Sequence, residues 1–426
     1  MLKRVIAKNI CFDKIINFLI VLYAALLPLG YAMANITLGL MSGFLIFYVI
    51  KNRNKDSYNK GQLLTWIFLF SILFFTYGIS LLYSNDLDVG FEKVYQKSPI
   101  FILTAFIFVL RQRIKKETVF LAMKTYSYSV TIVCVISILL AVYDCYDYHP
   151  NILLYCASDQ NLASAFISYH KLYLSLYIAI AIFFLLHSIF YSKNKLKLFS
   201  IKTLQILILF FTLILIGSRN SLMVSTLSII GFPLVYWLKN KMLFKFLLFG
   251  LTALTIVFSS VYFNPFLQEK VKEAFNYENQ YNINKRWGGV SVRKLIWEYS
   301  YITFKKNPVI GVGVGDAQKE LNVSYLECTE TSALNMGSYN THSDLLQIAV
   351  TTGVIGLCLY LFSLIYIISF SFKKQNYIHC IFIILFLVSG ITESLLERDM
   401  GIRVYSFFTI LLFIYNTRND ENSSNT

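Results

Sequence analysis

The sequence predicts an all-α, polytopic membrane protein of about twelve transmembrane helices, with one large external loop that contains amphipathic helices. Three observations lead there: the composition, the length of the apolar runs, and the way charge alternates between the loops. Of the 426 residues 57% are hydrophobic and only 14% charged, with a mean hydropathy of +0.59. A soluble domain carries about 25% charged residues. A water-soluble globule, a disordered chain and a disulfide-stapled mini-protein are excluded together. One spanning helix uses about 20 apolar residues, so roughly twelve fit with loops to spare.

Apolar runs fall at about 15–33, 36–50, 62–82, 99–110, 125–143, 172–191, 201–217, 221–238, 243–263, 345–371, 378–396 and 403–415. The fourth is short and borrows flanking residues. Only Ser218, Arg219 and Asn220 separate the seventh from the eighth. Residues 1–263 therefore hold spans one to nine, 264–342 a large external loop, 343–415 spans ten to twelve, and 416–426 a polar tail expected to be disordered. No small-residue cleavage site follows the first run, which reads as an anchor rather than a removable signal.

The net charge of +15 is topological. Alternate loops, beginning with the N-terminus, collect 23 of the 38 Lys and Arg but only five of the 23 Asp and Glu. Basic residues accumulate on the cytoplasmic side, so both termini are expected there. No nucleic-acid partner is needed to explain the surplus.

Inside the external segment, Val292, Leu295, Ile296, Tyr299 and Thr303 share one helical face, with Arg293, Trp297 and Tyr301 on another. This pattern fits a helix lying at the membrane surface. Asn307-Pro308 ends it, and Gly311-Val-Gly-Val-Gly315 reads as a flexible turn that exposes its backbone. Those glycines follow no strand of a βαβ unit and are no dinucleotide fingerprint.

Few residues can carry chemistry. Arg219 sits at the external end of two spans with no room for a long loop, where a charge is costly unless paired or facing a wet cavity. It reads as an anion clamp, its forked donors matching phosphate oxygens, or as an arginine snorkelling to headgroups. Arg293, with Lys294, Lys305 and Lys306 nearby, forms a basic strip that attracts an acidic lipid group or is simply solvated. His342 stands where the long loop re-enters the membrane; it is a proton acceptor for a sugar hydroxyl, or a residue capping the tenth span. His170, at the outer start of the sixth span, is a weaker candidate of the same kind. His187 and His379 sit near cytoplasmic span ends, where packing is the default. Asp86-Leu-Asp88 has metal-pair spacing that ordinary loops share. Cys145 and Cys156 lie in one external loop and are free to pair. No Cys-x-x-Cys pair and no His, Asp and Glu cage is present, so neither metal nor cofactor is expected.

Three stretches together resemble the O-antigen ligase and O-antigen polymerase superfamily of lipid-linked-oligosaccharide glycosyltransferases. They are Gly217-Ser-Arg-Asn-Ser221, Ser291-Val-Arg-Lys-Leu-Ile-Trp297 with Asn307-Pro-Val-Ile-Gly-Val-Gly313, and Asn340-Thr-His-Ser-Asp-Leu-Leu-Gln347 running into Gly353-Val-Ile-Gly356. The segment His170-Lys-Leu-Tyr-Leu-Ser-Leu-Tyr177 is similar to the same group. The resemblance runs from about residue 158 to 372, while the first five spans match only in topology. It departs at Ser343, where many relatives have Asn. It implies an inverting, metal-independent transferase of the bacterial inner membrane, with a periplasmic site and Arg219, Arg293 and His342 as catalytic residues. Lys294, Lys305, His170 and Tyr173 would join Arg219 and Arg293 in binding substrate. The implied donor is a glycan on undecaprenyl pyrophosphate. The acceptor is lipid A–core for a ligase, or a second lipid-linked glycan for a polymerase.

A transporter or flippase for such a lipid is the competing class, yet the internal repeats of many carriers are not evident. A non-catalytic scaffold would leave Arg219 without a reason. The split of basic residues makes the orientation testable: a reporter fused after Asn284 is expected to read external and one after Lys374 cytoplasmic. The opposite pair of signals would overturn it.

Overall fold

The computed structural model describes residues 2–52, 60–148, 159–167, 169–190, 195–239, 251, 290–328 and 339–417. Among them the chain forms helices and turns and no strand. In chain order the helices are α1 (Leu2–Leu26), α2 (Tyr31–Asn52), α3 (Lys60–Phe70), α4 (Ile72–Ser80), α5 (Leu87–Val109), α6 (Lys116–Tyr148), α7 (Asp159–Ser164) and α8 (Lys171–Phe190). There follow α9 (Lys195–Ile216), α10 (Arg219–Lys239), α11 (Val290–Lys306), α12 (Ala317–Leu326), α13 (Asp344–Lys373), α14 (Tyr377–Thr392) and α15 (Asp399–Thr417).

Five of these stretches are long and apolar enough to cross a membrane: Phe12–Leu29, Tyr31–Lys51, Lys116–Tyr146, Lys171–Phe190 and Asp344–Lys373. The pair Lys60–Phe70 and Ile72–Tyr83, bent by 65°, makes a sixth if counted as one span. The described residues thus show five or six such spans, fewer than the twelve apolar runs of the sequence. The difference has identifiable sources. Ile201–Ile216 and Asn220–Gly231 are apolar stretches within the longer helices α9 and α10, Tyr377–Thr392 is apolar but has only 16 residues, and the ninth run, 243–263, lies outside the described residues except for Leu251. The fourth run is the second half of α5, whose first half carries Glu92, Lys93 and Lys97. The eleventh run stops at Thr392, four residues early, because Glu393 turns extended (φ −147°, ψ 140°).

At the centre stands α8. It is apolar on every face and buried from Tyr173 to His187, as a helix without a polar stripe must be; it packs against α6, α9 and α10. Aromatic rings fill the bundle, among them Tyr126 and Phe184 against Phe408, at centroid distances of 4.9 and 4.6 Å.

Two expectations for the external segment are corrected. The apolar face of α11 does not lie on lipid. Leu295 and Ile296 pack against Leu321, Tyr325 and Cys328 around α12 and Val350 of α13, and Thr303 Oγ1 donates to Ser324 Oγ at 2.8 Å. Nor are the glycines a flexible turn. Gly353 breaks α13 with φ 67° and ψ −171°, and the segment 308–313 fills the break. Val312 N and Gly313 N donate to the carbonyls of Val350 and Thr351 at 2.9 and 3.1 Å. Val354 N and Ile355 N donate to the carbonyls of Pro308 and Val309 at 2.8 and 3.2 Å. Gly311 and Gly353 face each other so closely that a Cβ on either would overlap the other's backbone. The same segment is tied to the start of α5, where Gly315 N donates to Ser84 Oγ at 3.1 Å and Asn85 N to Asp316 Oδ2 at 2.6 Å. Asp86 is occupied in capping α5, accepting from Val89 N at 3.1 Å, which replaces the metal-pair reading.

The two ends of the bundle differ in chemistry. One end carries Arg113 paired with Asp13 at 2.9 Å, and there His379 Nδ1 meets Ser371 Oγ at 2.8 Å within the core. His187 is likewise buried, stacked on Phe120, so both histidines are packing residues. At the opposite end the segments 84–86, 308–316, 339–343 and 393–398 gather.

Gly353→Ala is expected to destabilise the fold by about 2 kcal/mol or more, since an alanine at positive φ adds strain to the overlap. Gly43→Ala, where an added methyl meets open space, should be close to neutral. Thermal unfolding in detergent compares the two, and equal melting temperatures would contradict the intermeshed break.

Candidate functional site

His342 sits in the turn that launches α13. Its φ of 45° is in the left-handed region, a conformation uncommon for non-glycine residues and held only where neighbours enforce it. Here they do. His342 N donates to Asn340 Oδ1 at 3.1 Å, and its carbonyl accepts from Trp297 Nε1 at 3.4 Å. Ser343 N donates to Ser394 Oγ at 3.0 Å, and Thr341 N to Gln347 Oε1 at 3.1 Å. Ser343 is thus bonded through its backbone and precedes α13 without a side-chain cap.

The ring is oriented by Glu393, the first residue beyond α14. Its Oε2 lies 3.2 Å from His342 Nδ1, while Oε1 takes a hydrogen bond from Arg293 Nη2. One nearly buried carboxylate therefore joins α11 to the turn before α13. With Nδ1–H donated to Glu393, the lone pair resides on Nε2. That atom makes no hydrogen bond among the described residues, and the ring is 28% exposed, so an incoming hydroxyl can reach it. Arg293 uses Nη2 on Glu393 and keeps further N–H donors for an anion.

The other expected residues fall into place unevenly. Arg219 opens α10; its side chain lies outside the described residues. The backbone beside it is fixed at the same end, because Asn220 Nδ2 donates to the Ser389 carbonyl at 2.8 Å and Ser221 Oγ lies 2.9 Å from Ser175 Oγ. Ser389 is one helical turn before Glu393. His170 also belongs here, its ring 6.5 Å from that of Tyr173. Although His170 is exposed as a whole, desolvation of its ring and the Lys171 charge hold its pKa below the ordinary value, with Glu393 opposing and Arg398 and His342 adding to the shift. The ring is consequently neutral at pH 7 and offers a hydrogen bond rather than a charge. Tyr173 is buried in α8.

Two lysines stand apart. Lys294 is exposed on α11, and Lys305 lies twelve residues beyond Arg293, about 18 Å along the axis, with its ammonium over the Tyr301 ring. Lys306 is paired with Glu320 at 3.1 Å. The basic strip does not converge on His342.

Glu393 and Arg398 are functional candidates that sequence reasoning missed. Residues 393–397 are buried, whereas Arg398 is exposed and has no ion-pair partner among the described residues. A signal existed: Glu393-Ser-Leu-Leu-Glu-Arg-Asp399 puts three acids and an arginine in one short turn after an apolar run. Together the groups offer a base with its orienter, guanidinium donors for an anion, and a neutral histidine nearby. Since Glu393 contacts Arg293 directly, Arg293→Ala and Glu393→Ala should be non-additive in stability, coupled by about 0.5–2 kcal/mol for so exposed an arginine. Denaturant unfolding of the two single variants and the double measures it, and additivity would contradict the contact.

No curated protein matches the chain. A family model described as O-antigen ligase does match, over residues 204–361. That stretch contains Arg219, Arg293, His342 and the Gly311–Gly353 intermesh, and ends before Glu393. Over that stretch, which is less than half of the chain, the protein is similar to the O-antigen ligase family.

Proposed function

We propose that the protein is a glycosyltransferase of the O-antigen ligase type, moving a glycan from undecaprenyl pyrophosphate to a sugar hydroxyl of lipid A–core on the periplasmic side. The observation that carries the reading is the Arg293–Glu393–His342 chain: an oriented base and an anion-binding group on one carboxylate. In the transfer, the acceptor oxygen attacks the anomeric carbon as the bond from that carbon to the pyrophosphate breaks. The acceptor's proton passes to His342 Nε2, and undecaprenyl pyrophosphate leaves on the opposite face, so the anomeric centre inverts. Arg293 and Arg219 stabilise the charge developing on the leaving group. Arg398 adds an exposed guanidinium, and His170 a hydrogen bond. Two guanidiniums do the work that a divalent ion does elsewhere, so no metal is required by the scheme.

Orientation follows the same reading. Both termini are cytoplasmic, and the site faces the periplasm of a bacterial inner membrane. Two observations support this: the lysine-rich end, with Lys51, Lys115, Lys116, Lys373 and Lys374, is opposite the site, and Cys145 is disulfide-bonded, as suits an oxidising compartment. Its candidate partner, Cys156, lies outside the described residues. Polymerisation of lipid-linked repeats uses the same chemistry with a different acceptor, and product length separates the two: one ligation or a ladder. A flippase would need no base.

Purified protein, a lipid-linked glycan and an acceptor are expected to form a glycosidic bond in detergent with chelator present. Arg219→Lys and Arg293→Ala should lower the rate by orders of magnitude, each loss being about 3–4 kcal/mol of transition-state stabilisation. His342→Ala should cost about 10²–10⁴-fold, whereas His187→Ala and His379→Ala should change little. Lipid transport without a new bond, or full turnover by His342→Ala at saturating acceptor, would overturn the reading.

A further inference from the structure

A second charged cluster lies behind the site. Lys97, in α5, is fully buried, and its Nζ donates to Glu397 Oε1 at 2.8 Å and to the Leu396 carbonyl at 2.9 Å. Tyr77 OH donates to the same Glu397 oxygen at 3.1 Å, and its ring lies 4.1 Å beneath the Lys97 ammonium. Lys93 stands 3.9 Å from the other oxygen. On the other side of the turn, Leu396 N donates to Asp344 Oδ1 at 2.8 Å. The Leu396 peptide is therefore held at both ends, its N–H by α13 and its carbonyl by α5.

A buried ion pair is a poor device for stability. Its desolvation cost offsets the attraction, and apolar residues of similar volume often do as well or better. An ionisable residue buried among spanning helices calls for a function. The turn that Lys97 grips is the one that presents Glu393, three residues before Leu396. We propose that the buried Lys97–Glu397 pair is a positioning device, fixing the turn between α14 and α15 so that the Glu393 carboxylate reaches Arg293 and His342 together. Lys97 and Glu397 touch neither substrate nor reacting atoms; they act through Glu393. The inference rests on the reading of Glu393 as the group that orients the base. It assigns a task to a lysine that the transfer scheme leaves unused.

The test replaces both members by apolar residues, Lys97→Met with Glu397→Met, which removes the grip without stranding a buried charge. The melting temperature in detergent should stay equal or rise. Hydrogen exchange of the 393–398 segment, read without any substrate, should accelerate. In glycan transfer kcat should fall about 10²-fold, the scale of an ångström-sized misplacement, while the donor KM changes less than threefold. Combined with Glu393→Gln, the loss should not multiply, because both changes act through one carboxylate. Tyr77→Phe, which removes a single hydroxyl, is the milder variant should the double replacement fail to insert; it should speed exchange in the same segment with a smaller loss of kcat. Unchanged exchange of 393–398, kcat within threefold of the parent, or multiplicative losses with Glu393→Gln would each overturn the proposal. Faster exchange in a protein whose parent forms no glycosidic bond would instead overturn the transferase reading, with the turn's dependence on Lys97 intact.

Discussion

The break in α13 at Gly353 is the constraint on which the rest of the site depends. An unbroken helix would pair Val354 N with the Val350 carbonyl and Ile355 N with that of Thr351. Here both carbonyls and both amides are re-paired with segment 308–313. The four groups that the break would have freed are thus paired again, as backbone polar groups require where they are buried. The exchange works only because Gly311 and Gly353 lack side chains at their closest approach and Pro308 contributes only its carbonyl. Its consequence is mechanical. The loop after α11 is inserted into α13, so Arg293 at the start of α11 and His342 just ahead of α13 belong to one rigid unit.

Onto that unit the turn after α14 delivers a single carboxylate. Glu393 is worth more here than an ordinary ion pair. A surface pair holds little energy, but a carboxylate with 8% side-chain exposure divides two oxygens between a guanidinium and an imidazole, so it sets their separation and fixes which imidazole nitrogen is free. That coupling also explains why His342 tolerates positive φ. The strain is opposed by bonds from Asn340, Trp297 and Ser394, each from a different segment of chain, so relaxing the residue would break several contacts together.

The all-helical, apolar character was legible in the sequence and the candidate site only in part, for a physical reason. Apolar runs of spanning length and one-sided Lys and Arg are local signals that survive any packing, whereas the number of spans depends on where helices bend or stop, as at Ser71 and Thr392. Arg219 and His342 stood out as candidates because each is a polar group beside a span end, where burial would penalise it, while Arg293 stood out only through the resemblance. Glu393 was hidden because it lies 51 residues from His342 and at the end of a run that reads as continuous apolar helix through Leu396. The face of α11 was read correctly as apolar, but hydrophobicity alone does not say whether lipid or α12 covers it. Glycine spacing likewise announced unusual backbone without revealing that Gly353 was its partner.

Charge placement across the bundle then acquires a single logic. At the lysine-rich end the charges sit where water reaches them, and Arg113 with Asp13 is partly exposed on both sides. At the other end acids are drawn inward, Glu393 toward Arg293 and His342 and Glu397 toward Lys97, while Arg398 on the same turn remains exposed. The inward carboxylates neutralise the cations that hold the scaffold together. The cationic donors left over face outward, in the direction from which an anionic lipid headgroup would arrive. Under the proposed transfer, an incoming pyrophosphate would not need to break the Glu393 bridge to find guanidinium donors: Arg293 has N–H groups besides the one on Glu393, and Arg398 has no ion-pair partner among the described residues. On that proposal the base would stay oriented while the anion binds, which is the condition for both to act in one transition state.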